Sequence, residues 1–146
     1  MSYEAKNVIN GTFGELWIND VKVAECTGFQ AKINLTKEEV KRCGSLGKAE
    51  KVTGWDGKGS IKLNKVYSRM ARIMAENLRN GKQTVVTIVS NLADPDSFGV
   101  ERVAIKDATF DELTLADWEA KKILEENVPF TFSDYEFLDM IEPSGY

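Results

Sequence analysis

The stretch Phe29-Gln30-Ala31-Lys32-Ile33-Asn34-Leu35-Thr36 decides the fold. Its apolar and polar residues alternate, and successive side chains of a β-strand point to opposite faces. A period of two therefore describes a strand with one greasy and one polar face. Such a strand needs neighbours of its own kind, and the flanking sequence supplies them. Upstream, residues 15–18 and 21–24 are short β-prone runs joined by Asn19-Asp20, a pair suited to the positive φ angles of a two-residue hairpin turn. Downstream, residues 37–50 (KEEVKRCGSLGKAE) are charged and glycine-punctuated and read as a long loop. Residues 52–66 read as a glycine-rich turn leading into a second alternating strand, with Ile61 and Leu63 on one side and Ser60, Lys62 and Asn64 on the other.

The period then changes. Tyr67, Met70, Ala71, Met74 and Leu78 recur at helical spacing, with Arg69, Arg72, Glu76 and Arg79 on the far side, Ser68 placed as N-cap and Gly81 as the stop. Residues 83–91 (QTVVTIVSN) are rich in β-branched side chains, as a well-covered strand requires, and Asp94-Pro95-Asp96 marks a turn. In residues 101–110 the alternation of Val103 and Ile105 slips phase to Ala108 and Phe110, which predicts a bulge near Lys106-Asp107. Residues 114–127 fit either a short amphipathic helix, with Trp118, Lys121, Lys122 and Glu125 on it, or an extended loop. Residues 128–132 (VPFTF) alternate again, and Pro129 restricts that strand to an edge or confines the proline to its start. Tyr135, Phe137, Leu138 and Ile141 give residues 134–141 reason to dock on the rest.

Composition bounds the function. The chain has 146 residues, 42% hydrophobic and 29% charged, with 3 Pro and 11 Gly, which suits one folded domain over 1–146 and argues against a disordered or collagen-like chain. Histidine is absent, which excludes imidazole as base, proton shuttle or metal ligand. The net charge of −4 has the wrong sign for a domain that grips a phosphate backbone, although passage of nucleic acid past it stays open. Cys26 and Cys43 are expected to be reduced thiols, and neither a signal peptide nor a membrane anchor is expected. The run Gly44-Ser45-Leu46-Gly47-Lys48 has Arg42 and Ala49 where a phosphate-binding loop needs Gly and Ser or Thr. Gly54, Gly57 and Gly59 are spaced wrongly for a dinucleotide fingerprint, and a hairpin with a glycine bulge is the plainer reading. The paired carboxylates, such as Glu38-Glu39 and Asp111-Glu112, sit in polar runs and read as solvated faces. No residue is singled out as catalytic, cofactor-binding or metal-binding. Trp17, Trp55 and Trp118 are read as packing residues before sugar-stacking ones.

The stretches NVINGTFGELWINDVKVAECTGFQAKI, VTGWDGKGSIKLNKVYSRM and ENVPFTFSDYEFLDMI resemble the tail tube protein family of contractile phages and phage-derived tails, notably the defective-prophage PBSX type. The resemblance runs from about Ala5 to about Ile141, and the VPFTF segment with its acidic lead-in and aromatic sequel is its most specific piece. It implies a mainly β (α+β) fold, a barrel or sandwich of antiparallel strands with one flanking α-helix, in which two long hairpins per subunit form the inner wall of a hexameric ring. Residues 27–36 with 59–66, and 83–91 with 101–110, would make those hairpins, and about 24 tilted strands would leave a channel roughly 40 Å across. On that reading Gln30, Lys32, Asn34, Ser60, Lys62 and Asn64 line the lumen. Lys41, Arg42, Ser45, Leu46 and Lys48, in the loop at 37–50, stack ring on ring. Arg69, Arg72, Glu76 and Arg79 meet the sheath. The partners implied are further copies of the chain, sheath, baseplate, tape-measure and terminator proteins, with DNA only as passing cargo. The protein would be made in the bacterial cytoplasm and end in a virion tail, an R-type bacteriocin or another phage-tail-like particle. The negative net charge, if part of it faced inward, would keep phosphate from sticking to the wall. The reading kept open from another class is a monomeric carbohydrate-binding β-domain that uses the tryptophans.

Overall fold

A computed structural model describes residues 2–143. In chain order the strands are β1 (Gly14–Ile18), β2 (Val21–Lys22), β3 (Cys26–Val40), β4 (Ala49–Asn64), β5 (Val85–Leu92), β6 (Glu101–Phe110), β7 (Glu125–Phe132) and β8 (Asp134–Asp139), with the helix α1 (Arg69–Arg79) between β4 and β5. All strand pairs are antiparallel, in the order β2-β1-β5-β6-β7-β4-β3, with β8 lying along β6. The mainly antiparallel β fold with one flanking α-helix is as expected, but the sheet does not close into a barrel within the chain.

Local sequence explains the turns. Asn19 and Asp20 adopt φ of 48° and 66° between β1 and β2, the left-handed pair a two-residue hairpin demands. The phase slip in β6 is a bulge: Val86 faces Ala108 but Ile88 faces Ile105, so Lys106-Asp107 oppose the single residue Thr87, and Asp107 has φ of 54°. Helix α1 begins after Ser68, whose side chain makes no capping bond, and stops before Gly81 at φ of 70°. Its buried stripe is Met70 and Met74, with Ile73 packed beside them; Tyr67 and Leu78, expected on that stripe, are exposed at its two ends.

Three expectations are corrected. Residues 37–50 are not a long loop: β3 runs on to Val40 and β4 starts at Ala49, with Lys37, Glu38, Glu39 and Val40 opposite Val52, Lys51, Glu50 and Ala49. Only residues 41–48 turn the chain. The apolar alternation fades there because neither face of the strand meets a core in the single chain, so backbone pairing alone holds it. The glycine-rich residues 54–59 are not a turn either, but the middle of the 16-residue β4. Their glycines make room for aromatics of β7. A Cβ at Gly59 would collide with the Gln30 carbonyl and the Phe130 ring, and one at Gly57 with the Phe132 ring. Pro129, lastly, lies in the interior of β7 opposite Ser60, neither at an edge strand nor at a strand start. It is tolerated because the β6–β7 ladder ends at Phe110↔Phe130, and the Pro129 carbonyl there accepts from Asp111 N, beyond the end of β6. Residues 114–124 contain no helix and connect β6 to β7 as a loop.

The core is one cluster built from Leu16, Ile18, Ile61, Met70, Ile88 and Phe130 with their neighbours. Phe130 is fully buried, its ring stacked on Phe29 at 5.7 Å and tilted against Phe132 at 6.0 Å. Residues 134–139 dock as expected, extending the strand order of β7 along β6. The helix is fastened to the sheet by an ion pair: Arg69 donates from Nε to Glu25 Oε1 at 2.9 Å and its Nη2 lies 2.8 Å from the same oxygen, with both side chains nearly buried. The same guanidinium lies 4.7 Å from the centre of the Tyr67 ring.

Two measurements check these assignments. Gly59→Ala is expected to lower stability by about 2–3 kcal/mol in chemical denaturation, since the strand would have to part from Phe130 and Gln30; a neutral result would mean the glycine sits in an open turn. Arg69→Met is expected to cost about 3 kcal/mol by leaving Glu25 uncompensated, and adding Glu25→Leu to recover part of it; a cost under about 1 kcal/mol would place the pair in solvent.

Candidate functional site: an assembly surface

The register of β3 and β4 sorts their side chains onto two faces. Phe29↔Ile61, Ala31↔Gly59, Ile33↔Gly57 and Leu35↔Trp55 form an apolar face, while Gln30↔Ser60, Lys32↔Lys58 and Asn34↔Asp56 form a polar one. Lys62, opposite Gly28, and Asn64, opposite Glu125 of β7, continue the polar face. The six residues expected to line a lumen are thus brought together on one surface, and all but half-buried Ser60 are exposed. Sequence reasoning missed Asp56 and Lys58 because it placed a turn at the glycines; the i, i+2, i+4 spacing of Lys58, Ser60 and Lys62 carried the signal. Lys32 directly opposite Lys58 puts like charges across a ladder, an arrangement that costs stability unless a partner or solvent relieves it.

The apolar face is covered only in part. At its root, Phe29 and Ala31 pack on the core; further out Ile33, Leu35, Val52 and Trp55 are exposed, although Trp55 touches the rings of Phe132 and Tyr135 at 6.2 and 5.7 Å. An extra residue on β4, Thr53, lies between Thr36↔Gly54 and Lys37↔Val52, and its hydroxyl donates to the Thr36 carbonyl at 3.4 Å. This bulge bends the outer hairpin. At the tip Lys41, Arg42, Ser45, Leu46 and Lys48 are all exposed, with Arg42 donating to Ser45 Oγ at 3.3 Å. The loop expected to join rings is therefore a short tip carried on a two-stranded arm.

On α1, Arg72, Glu76 and Arg79 share the exposed side. Arg69, expected with them, does not: its side chain is drawn inward to Glu25, since a charge-assisted hydrogen bond within an ion pair and an aromatic face outweigh hydration of the guanidinium. The tryptophans do not form a platform. Trp17 is half-buried on β1, Trp55 packs with Phe132 and Tyr135, Trp118 stands exposed in the β6–β7 loop, and no two of them stack among the described residues.

An open cleft of about 1030 Å³ lies between β3 and the β1-β5-β6-β8 part of the sheet, lined by Phe29, Ala31, Val103, Ile105, Tyr135 and Phe137 among others. At its rim Asn91 Oδ1 is buried without a hydrogen-bond partner among the described residues. Asp94, just beyond β5, ties the N-terminal segment to the β5–β6 turn, accepting from Asn10 N at 2.8 Å and Asp96 N at 2.9 Å. The opposite face of β6 and β8 is stitched by Lys106–Glu136 at 2.8 Å and Arg102–Asp139 at 3.6 Å, and the Glu136 hydrogen bond raises the Lys106 pKa above its usual range. Cys26 and Cys43 are free thiols, as expected; burial pushes the Cys26 thiol pKa up, while Cys43 is exposed at the tip. Among the described residues no group of His, Cys, Asp and Glu is arranged to hold a metal ion, and no helix is long and apolar enough to cross a membrane.

What the geometry presents is surface: an open sheet, a two-faced arm and an exposed apolar stripe. A family model described as phage tail tube protein matches residues 1–139. Phage-like element PBSX protein XkdM of Bacillus subtilis (strain 168) is 33% identical over 138 residues, 93% of this chain and 94% of that protein. By fold the chain is similar to one in the cryo-EM structure of the anti-feeding prophage cap, with TM-score 0.71 at 13% identity over 96% of this chain and 94% of that one. It is similar too to a chain in the sheath-tube complex of an extracellular contractile injection system, PVC, in its extended state, with TM-score 0.67 at 10% identity over 95% and 100%. Sequence and fold converge, and the chain belongs to the phage tail tube protein family.

Proposed function

We propose that the protein assembles as hexameric rings that stack into the inner tube of a contractile phage tail or phage-tail-like bacteriocin, a passive conduit for DNA or ions with no catalytic step. The observation that carries this reading is the β3–β4 hairpin, whose outer half exposes both faces and cannot be stabilised by the core of its own chain. Apolar faces left open along Ile33, Leu35, Val52 and Trp55 suit burial against neighbouring copies. The unpaired outer edge of β3 suits completion of the wall by the next subunit. A tube subunit of a non-viral contractile injection system uses the same geometry, and the fold likeness to the PVC sheath-tube complex favours keeping that second reading.

Within the tube, Gln30, Lys32, Asn34, Ser60, Lys62 and Asn64 face the lumen, the tip residues Lys41, Arg42, Ser45, Leu46 and Lys48 meet the adjacent ring, and Arg72, Glu76 and Arg79 face the sheath. The expectation of an acidic wall does not follow from this assignment. The lumen face carries Lys32, Lys58 and Lys62 against Asp56 and Glu125, so the net −4 of the chain resides elsewhere. Sheath, baseplate, tape-measure and terminator proteins are the partners of such a tube, and its place is the tail of a virion or released particle after synthesis in the bacterial cytoplasm.

Negative-stain microscopy of the purified protein at high concentration tests the reading directly: hollow rings or rods support it, and a persistent monomer overturns it. Lys32→Cys and Lys62→Cys in a Cys43→Ser background are expected to react in assembled tubes with a small maleimide and resist one on a bulky carrier; equal labelling by both would remove these residues from the lumen. The native Cys43 is expected to react fast in dispersed subunits and at least about tenfold more slowly in tubes, because stacking covers the tip. Equal rates would leave the tip outside the ring-to-ring contact.

A further inference from the structure

Charge is divided unevenly along this chain. From Cys26 to Asn64, the β3–β4 hairpin holds eight lysines and arginines against four carboxylates, net +4. The remainder then carries eleven basic against nineteen acidic residues, net −8. None of the ion pairs among the described residues involves a hairpin residue; Lys22, Lys65, Arg69, Arg102, Lys106 and Lys122 all pair outside it. The basic side chains of the arm, from Lys32 to Lys62, are exposed. A second surface is its complement. The β6–β7 loop and the start of β7, residues 111–125, expose Asp111, Glu112, Asp117, Glu119 and Glu125 against Lys121 and Lys122, net −3. Among these carboxylates stand three of the most exposed large apolar side chains, Leu115 at 87%, Trp118 at 78% and Ile123 at 85%. The tip is likewise apolar as well as charged, with Leu46 fully exposed and Val40 and Val52 open behind it.

The acidic loop begins at Asp111, whose N–H donates to the Pro129 carbonyl opposite Ser60 of β4 and whose carboxylate accepts from Thr131 opposite Lys58, and it ends at Glu125, opposite Asn64. β4 itself leaves the tip at Ala49 and reaches Asn64. At about 3.3 Å per residue the tip end of β4 stands roughly 30 Å from the level of Asp111 and roughly 50 Å from that of Glu125. Tip and loop are too far apart to meet within a copy, and their separation along the strand axis suits a head-to-tail contact between copies, the heterologous kind that propagates.

We propose that the basic, apolar-tipped arm of one copy docks on the acidic β6–β7 loop of a second copy, with Trp118 as the apolar anchor and the opposed charges setting register. This rests on the tube reading and supplies the acceptor for the tip. A second copy fits better than a nucleic acid because the −8 body beside the arm repels a polyanion but complements another arm.

The test is a charge swap in the full chain, read by sedimentation and electron microscopy after confirming that the dispersed subunits keep the wild-type circular dichroism and melting temperature. Wild-type assembly is expected to weaken as ionic strength rises past about 0.1 M, where the Debye length falls to about 10 Å and below. Arg42→Glu with Lys48→Glu, and separately Asp117→Lys with Glu119→Lys, are each expected to cut the assembled fraction about tenfold or more, and the four changes together to restore most of it. Trp118→Ala, at an exposed position, should lower assembly without lowering subunit stability. If the wild type forms tubes whose yield neither reversal alters, or if the combined variant shows no recovery over the single reversals, the docking is overturned while the tube reading stands. Failure of the wild type to assemble even at low salt overturns both. Salt-sensitive binding of a labelled DNA duplex through Arg42 and Lys48, with assembly unaffected by their reversal, would reassign the arm to nucleic acid.

Discussion

The structure depends on one long strand pairing. Residues 125–139 run as a nearly continuous strand that keeps a single register against β6, from Phe110↔Phe130 through Lys106↔Asp134 to Val103↔Phe137, while their first half also pairs with β4 from Asn64↔Glu125 to Gly57↔Phe132. Among the described residues this segment is the one that pairs by backbone with both the hairpin β3–β4 and the hairpin β5–β6. Its side chains do the same work as its backbone: Phe130 and Phe132 lie over Gly59 and Gly57 of one hairpin, and Tyr135 and Phe137 stand opposite Ile105 and Val103 of the other. The Lys106-Asp107 bulge of the β5–β6 pairing sits at the level where β7 gives way to β8, with Ser133 Oγ 3.3 Å from Asp107 Oδ2.

From that junction the division of labour follows. The β7 half of the segment lies on the core, whereas β8, the tip at residues 41–48 and most of the β6–β7 loop are exposed. The arm beyond Ile33 and Gly57 has no core beneath it, and its exposed apolar residues exceed what an isolated soluble domain needs to show. A tube subunit has to balance these demands. The VPFTF strand and the Glu25–Arg69 clamp secure the core, and the arm leaves open surface of both polarities, which neighbouring copies would cover in the proposed tube.

Much of this was legible in the residues. The two-face alternation at Phe29–Thr36, the Asn19-Asp20 turn, the bulge in β6 and the helix with its Gly81 stop each follow from short-range stereochemistry, and short-range stereochemistry is what a sequence displays. What misled was every place where a partner distant in sequence overrides the local preference. The glycines at 57 and 59 signal a turn until Phe132 and Phe130 are laid over them. Charged residues 37–40 signal a loop until they are paired with residues 49–52. Pro129 signals an edge strand, whereas β7 lies between β6 and β4 and is open only beside the proline, where the β6 ladder ends. Arg69 signals solvent until Glu25, forty-four residues earlier, claims it. Six residues of the arm's polar face follow from the alternation, and Asp56 and Lys58 escape it because Gly54, Gly57 and Gly59 around them signal a turn.

The proposed tube has the polar face of β3 and β4 as its inner wall. A helical reconstruction by cryo-electron microscopy of the self-assembled protein tests it most directly. Six-fold stacked rings are expected, with Gln30, Lys32, Lys58 and Lys62 toward the axis, and Ile33, Leu35 and Trp55 covered by protein. Rings of another symmetry, or an inner wall formed by the apolar face of the arm, would contradict it.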